Sequence, residues 1–151
     1  MIRRSMAACL LLVWLPAPTL VAQAPEPTLT PLVRAVDLNL GQSQQVKLAD
    51  GKQVTVKLLD LQETVDPIRG AIRRARAQVE VDGHRAWLTS ANYQLPIVVG
   101  PVQIDCPITG GHCKNTSTRP NPWGLEKDAR LRLWPAGSPW MKPGTFVYPI
   151  K

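Results

Sequence analysis

Two histidines, two late cysteines, one cluster of acids and a group of tryptophans are the residues of this chain with chemistry in them. Nucleophilic catalysis needs a serine, threonine or cysteine within reach of a base. The only histidines are His84, beside an Asp-Gly turn, and His112, between the cysteines. Carboxylate-pair chemistry needs two acids facing one cleft. Asp60, Glu63 and Asp66 form the notable cluster among 11 acids, and they read better as solvation of a loop. Cys106 and Cys113 are separated by six residues that include Gly110-Gly111. In an oxidising compartment such a pair is expected to close a disulfide, which would remove the best nucleophiles. The competing reading, a metal held by Asp105, His112 and both cysteines, lacks a Cys-x2-Cys pair and a second histidine nearby. No P-loop, dinucleotide fingerprint or calcium-loop pattern occurs. No catalytic residue, metal ligand or cofactor is therefore assigned; a complete enzyme would have to assemble its site from His112, Asp105 and distant acids.

Trp123, Trp134 and Trp140 stand among five prolines in residues 120–143. The spacing suits either a rigid plug over a small sheet or a candidate aromatic platform for sugar rings. The basic run Arg69, Arg73, Arg74 and Arg76 is split between faces by strand alternation, so it reads as a charged sheet edge that resists aggregation.

These residues need a scaffold, and the N-terminus says where it is built. Arg3-Arg4, an apolar stretch from Met6 to Leu15, Pro16 and Pro18, and the small residues Ala22 and Ala24 have the order of a secretory signal. Cleavage after Ala24 would put Pro25 first, which signal peptidases disfavour; Ala22 is the alternative. The apolar run is well short of the roughly 20 residues of a spanning helix. The expectation is a secreted or periplasmic protein without a transmembrane span. Removing residues 1–24 leaves 16 basic residues against 11 acids, a net +5. That balance favours anionic partners, and export makes nucleic acid the least suitable of them.

With 151 residues the chain has material for one domain. Residues 25–33 hold three prolines and read as an extended leader, residues 34–114 as a β-rich domain, and residues 115–151 as a Trp/Pro-rich extension packed on it. Val46 and Leu48 precede Asp50-Gly51, and Val54, Val56 and Leu58 follow it. A three-residue loop, Ala49-Asp50-Gly51, pairs Val46 with Val54 and keeps the apolar face continuous; a two-residue turn does not. At Asp82-Gly83 a two-residue turn works, setting Val81 opposite His84, Val79 opposite Ala86, Ala77 opposite Leu88 and Glu80 opposite Arg85. That register puts Trp87 opposite Gln78 and diagonal to Arg76, within cation–π reach. Trp87 is then either covered by another element or a ligand platform.

Leu95–Val99 and Val102–Ile108 read as further strands, the second alternating Val102, Ile104, Cys106 and Ile108 inward. Asn115-Thr116-Ser117 is a glycosylation sequon, without meaning in a bacterium. Leu125 to Arg130 reads as one helical turn, Arg130 to Trp134 as a strand and Thr145 to Ile150 as a last one. The last looks like a strand entering something more, so the extension is expected to be truncated. The fold class is all-β, a small antiparallel sandwich or partly open barrel.

The stretch from Asn121 through Pro122-Trp123-Gly124-Leu125 and Arg130-Leu131-Arg132-Leu133-Trp134-Pro135 to Trp140, continuing Met-Lys-Pro-Gly-Thr-Phe-Val-Tyr-Pro149, carries a resemblance. It resembles the region before the catalytic domain of secreted bacterial lysostaphin-type zinc metallopeptidases, the murein endopeptidases. The resemblance is close over residues 121–149 and loose over the rest of the mature chain. It implies an N-terminal, noncatalytic accessory domain whose partners are a downstream peptidase domain or peptidoglycan. The family's zinc is held by a His-x3-Asp and a His-x-His motif, with a position left for the attacking water. Neither motif occurs here, so zinc is expected only in a downstream catalytic domain. The other expectation is a stand-alone peptidoglycan or glycan-binding module using Trp123, Trp134 and Trp140.

Overall fold

A computed structural model describes residues 31–91, 94–114 and 121–139. The expected signal segment, most of the expected leader, the sequon, Trp140 and the expected last strand lie outside these residues. The strands are β1 (Arg34–Leu38), β2 (Ser43–Lys47), β3 (Gln53–Val65), β4 (Ile72–Val81), β5 (His84–Thr89), β6 (Ile97–Val99), β7 (Val102–Thr109) and β8 (Ala129–Pro135). One short helix, α1 (Gly110–Lys114), follows β7. They form two four-stranded antiparallel sheets, β2-β3-β4-β5 and β1-β8-β7-β6, which pack face to face as a sandwich. Among the described residues no helix is long and apolar enough to cross a membrane.

The first sheet is a meander, and both of its hairpins have the expected registers. Val46 pairs with Val54 across a three-residue loop, with Gly51 at φ +87°. That left-handed conformation is easy for a residue without a Cβ. Val81 faces His84, Val79 faces Ala86 and Ala77 faces Leu88 across Asp82-Gly83. Both turn residues have positive φ, +45° and +85°, as a type I′ turn requires. Alternation then places Val54, Val56, Ala77, Val79, Val81 and Leu88 in the core, opposite Val36, Leu38, Ile104, Leu131 and Leu133 of the second sheet. The extension does more than pack on the domain: β8 lies between β1 and β7, and its apolar residues complete the core.

Two bulges depart from simple alternation and set up the site. In β3 the pairing with β4 slips by one residue between Leu58 and Asp60. A one-residue slip exchanges the faces, so Leu61 and Glu63 point the way Leu58 does. In β7 the pairing with β8 slips between Asp105 and Ile108. The slip spans Pro107, which has no N–H for the ladder and is tolerated in a sheet at such a bulge. Cys106 stays among the core residues, whereas Ile108 pairs with Arg130 on the outer face, where Arg130 grips Asp37 through two 2.7 Å hydrogen bonds.

Three expectations change accordingly. Ile108 does not continue the inward set of Val102, Ile104 and Cys106, because the bulge turns it over. The Leu125 turn is absent: Asn121 Nδ2 donates to Leu125 O, Leu125 is buried, and regular structure begins only with β8. The disulfide is also absent, since Cys106 and Cys113 are not joined. Cys106 belongs to the core between the sheets, while Cys113, at the end of α1, belongs to the wall of an outer cleft.

Candidate functional site

Three segments meet beside α1. The residues after β5 enter through Ser90, whose N–H donates to Ala75 O and which bridges to Cys106. The β7 bulge contributes Pro107 and Ile108, and α1 contributes His112 and Cys113. The third is the Asn121–Leu125 loop, which is tied at several points. Trp123 N–H donates to Asn121 Oδ1, and Trp123 O accepts from Arg130 Nη1 at 2.9 Å. Gly124 takes φ +55° there, and Trp123 is held 38% exposed at the mouth. Together these residues line a cleft of about 290 Å³. That is close to the lower limit of about 300 Å³ for small-molecule sites.

His112 is fixed by a relay across both sheets. Thr109 Oγ1 donates to Glu63 Oε1 at 2.5 Å, and Thr109 Oγ1 lies 3.0 Å from His112 Nδ1. A hydroxyl has one proton, and a carboxylate has none to give. With that proton committed to Glu63, Thr109 can only accept from His112, so the neutral imidazole carries its hydrogen on Nδ1. Nε2 is left as an acceptor. Glu63 Oε1 also accepts from Gly111 N–H at 3.1 Å. A Cβ on Gly111 would come within 2.5 Å of Glu63 Cδ, so the absence of a side chain is what admits the carboxylate.

Ser90 and Cys113 also line the cleft, and Cys106 lies behind Ser90 in the core. Ser90 is buried, and beyond the Cys106 sulfur, a poor partner, its Oγ finds no hydrogen bond among the described residues. Burial pushes the Cys106 thiol up to about 11, an effect that the Ser90 hydroxyl only partly offsets. Burial also raises Cys113, against the pull of the Arg130 charge. Both sulfurs are thus held toward the thiol, the poorer nucleophile.

The remaining singled-out residues serve the fold. His84 packs on the Gly100 turn, where an added Cβ would meet its ring at 2.9 Å. Trp87 is half-buried with the Arg76 guanidinium 4.8 Å over its ring, as the hairpin register requires. Trp134 is only 7% exposed under the Arg132 guanidinium and is packed, Trp123 lines the cleft, and Trp140 lies outside the described residues. Asp105 is buried and paired twice with Arg132, at 2.9 and 2.6 Å. It therefore has no part in a site with His112. Asp60 bonds to the Leu61 N–H and to Gln62. Asp66 closes the β3–β4 turn, accepting from the Ile68 and Arg69 N–H groups and from Arg73. Of the acid cluster, only Glu63 reaches the cleft's machinery. Among the described residues no three His, Cys, Asp or Glu side chains are grouped to hold a metal.

Neither a family model, nor a curated protein, nor a solved structure matches this chain.

Proposed function

We propose that this chain is an exported, noncatalytic β-domain of the accessory kind that stands before a lysostaphin-like cell-wall metallopeptidase, and that it works by holding peptidoglycan. The reading is supported by the cleft beside α1. It offers an aromatic ring from Trp123, apolar walls from Pro107 and Ile108, and polar groups at His112 and Cys113. A few placed polar groups in a mostly apolar concavity suit recognition. Holding both thiols protonated suits binding better than nucleophilic attack. The mature +5 balance favours approach to an anionic wall.

Co-sedimentation with insoluble peptidoglycan tests this reading. The chain should pellet with the wall, and Trp123→Ala should leave most of it in the supernatant. A protein that stays soluble at every wall concentration refutes the proposal. The same cleft would serve a stand-alone glycan-binding module. The intact mass of the native secreted protein separates the two: about 14 kDa after signal removal for a stand-alone module, and much more for an accessory domain joined to a peptidase.

A further inference from the structure

The fold sorts the basic run Arg69, Arg73, Arg74 and Arg76 into one paired residue and three unpaired ones. Elsewhere the described arginines are engaged: Arg85, Arg130 and Arg132 each hold a carboxylate, as Arg73 does, and Arg34 donates to the carbonyls of Pro31, Val33 and Lys47. The guanidinium groups of Arg69 and Arg74 have no hydrogen bond or ion pair among the described residues, and that of Arg76 only lies over the Trp87 ring. All three stand on the arm made by β3, β4 and their turn. The acids around them are already committed: Glu63 to Thr109 and Gly111, Asp60 to the Leu61 N–H and Gln62, Asp66 to the turn and Arg73. The arm also outruns its neighbours. β2 last pairs with β3 at Ser43–Lys57 and β5 last pairs with β4 at Thr89–Arg76, whereas β3 and β4 continue through Thr64–Arg74 to Val65–Ile72.

The tip of this arm is apolar, and its turn is tied. Ile68 is 92% exposed and Val65 47%. Asp66 N–H donates to Ala71 O and Gly70 N–H to Asp66 O, both at 2.8 Å, while the Asp66 carboxylate accepts from the Ile68 and Arg69 N–H groups and from Arg73. The turn thus holds Ile68 out in solvent. A single exposed isoleucine is ordinary; one held at the end of an overhanging arm beside unpaired arginines suits an interface that is apolar inside and anionic at its rim. From this we infer that the β3–β4 arm docks on an anionic phospholipid surface. Ile68 and Val65 enter the boundary of the acyl chains, and Arg69 and Arg74 meet the headgroup phosphates. At the rise of a strand Arg74 stands about 7 Å and Arg76 about 13 Å behind Ile72, so Arg76 adds long-range attraction and no direct contact. A soluble polyanion would engage the arginines and leave Ile68 in water, which is why a lipid surface fits better. The inference is independent of the cleft beside α1 and of wall binding.

The test is co-sedimentation of the chain with vesicles of phosphatidylglycerol, of phosphatidylcholine, and of an equimolar mixture of the two. Binding should rise with the phosphatidylglycerol content and weaken as salt is added. An arginine near an anionic bilayer contributes about fivefold in affinity, so Arg69→Gln and Arg74→Gln should each cost about fivefold. Ile68→Ser should cost about tenfold by removing the inserted side chain. These three side chains are exposed and make no contact that the fold needs, so unchanged urea midpoints should accompany the losses. With isotope-labelled chain and a nitroxide-bearing lipid in the vesicles, the amide resonances of residues 65–70 should broaden before all others. Soluble glycerol phosphate and polyphosphate, which carry the phosphate without the acyl boundary, should bind more weakly than the vesicles and should not respond to Ile68→Ser.

Failure to sediment with phosphatidylglycerol vesicles overturns the inference, as does equal binding to phosphatidylcholine. Vesicle binding that Ile68→Ser leaves intact, or polyphosphate binding as tight as vesicle binding, also overturns it, because the arm is then a site for soluble polyanions. Broadening centred away from residues 65–70 would place the contact on another surface and refute the role of the arm. The vesicles contain no peptidoglycan, so failure here leaves the wall-binding reading standing, and failure to pellet with the wall leaves this one standing.

Discussion

Replacing Thr109 by valine keeps the buried shape and removes the oxygen on which the Glu63–Thr109–His112 relay depends. Thr109 is fully buried, so the new methyl group is accommodated without exposure. Two hydrogen bonds are lost, one to a carboxylate and one to an imidazole. Both partners are half-buried and can recover water, which places the charged bond at the low end of about 1.5–3 kcal/mol and the neutral one near about 1 kcal/mol. The added methyl returns about 0.8 kcal/mol. The net cost is about 1.7 kcal/mol, read as a lower urea midpoint at unchanged m value. In a thermal scan it is a fall of roughly 6–10 °C. A second measurement isolates the relay from general packing. Long-range proton–nitrogen correlation spectra should show His112 protonated on Nδ1 in the parent at neutral pH, and largely on Nε2 in Thr109→Val. An unchanged tautomer, together with a stability loss below about 0.5 kcal/mol, would refute the reasoning.

Three other perturbations follow from the same geometry. Arg132→Met strands the Asp105 carboxylate, only 2% exposed, whereas Asp105→Asn leaves a guanidinium that is 36% exposed and can hydrate. The first should cost about 3 kcal/mol and the second about 1 kcal/mol by urea unfolding; equal costs would mean that the carboxylate is not stranded. The Ile68 N–H, and after it the Arg73 guanidinium, hold the Asp66 carboxyl below its ordinary value of 3.8. A group whose pKa is lowered on folding contributes stability above its unfolded pKa and loses it as the pH falls through the folded value. Asp66→Asn should therefore be the less stable protein at neutral pH, with the gap to the parent closing below about pH 4 in acid-unfolding curves. The thiol of Cys106, raised by burial to about 11, works with the opposite sign: its contribution is complete below its ordinary value of 9.0 and disappears as the pH rises to about 11. Thiol labelling should accordingly modify Cys113 first and Cys106 only on unfolding, and an intact mass two hydrogens light before labelling would contradict the unjoined pair.

The hairpins were legible in the chain because their information is local. Asp50-Gly51 and Asp82-Gly83 supply turns, the alternation of Val46, Val54 and Val56 or Val79 and Val81 selects a register, and the Arg76–Trp87 contact follows from that register alone. The site was less legible. Glu63 reads as a loop acid because the alternation after Leu58 puts no apolar residue at Asp60 or Gln62, and only the bulge at Leu59 turns Glu63 toward the other sheet. Pro107 was the available signal for the second bulge, since a proline inside an apolar strand needs one. The Gly110-Gly111 pair was the available signal for a close approach, realised by the Glu63 side chain against Gly111.

The chain by itself determined an all-β class, the strand faces and the turns, because side-chain alternation and left-handed turn residues act over a few neighbours. What lies next to what beyond that range was decided by the tertiary structure. It set β8 between β1 and β7, parted Cys106 from Cys113 across one bulge, and brought Glu63 to His112 through Thr109. Each of these depends on closing two sheets over one core, and a single bulged residue, nearly silent in the sequence, exchanges the faces of everything after it.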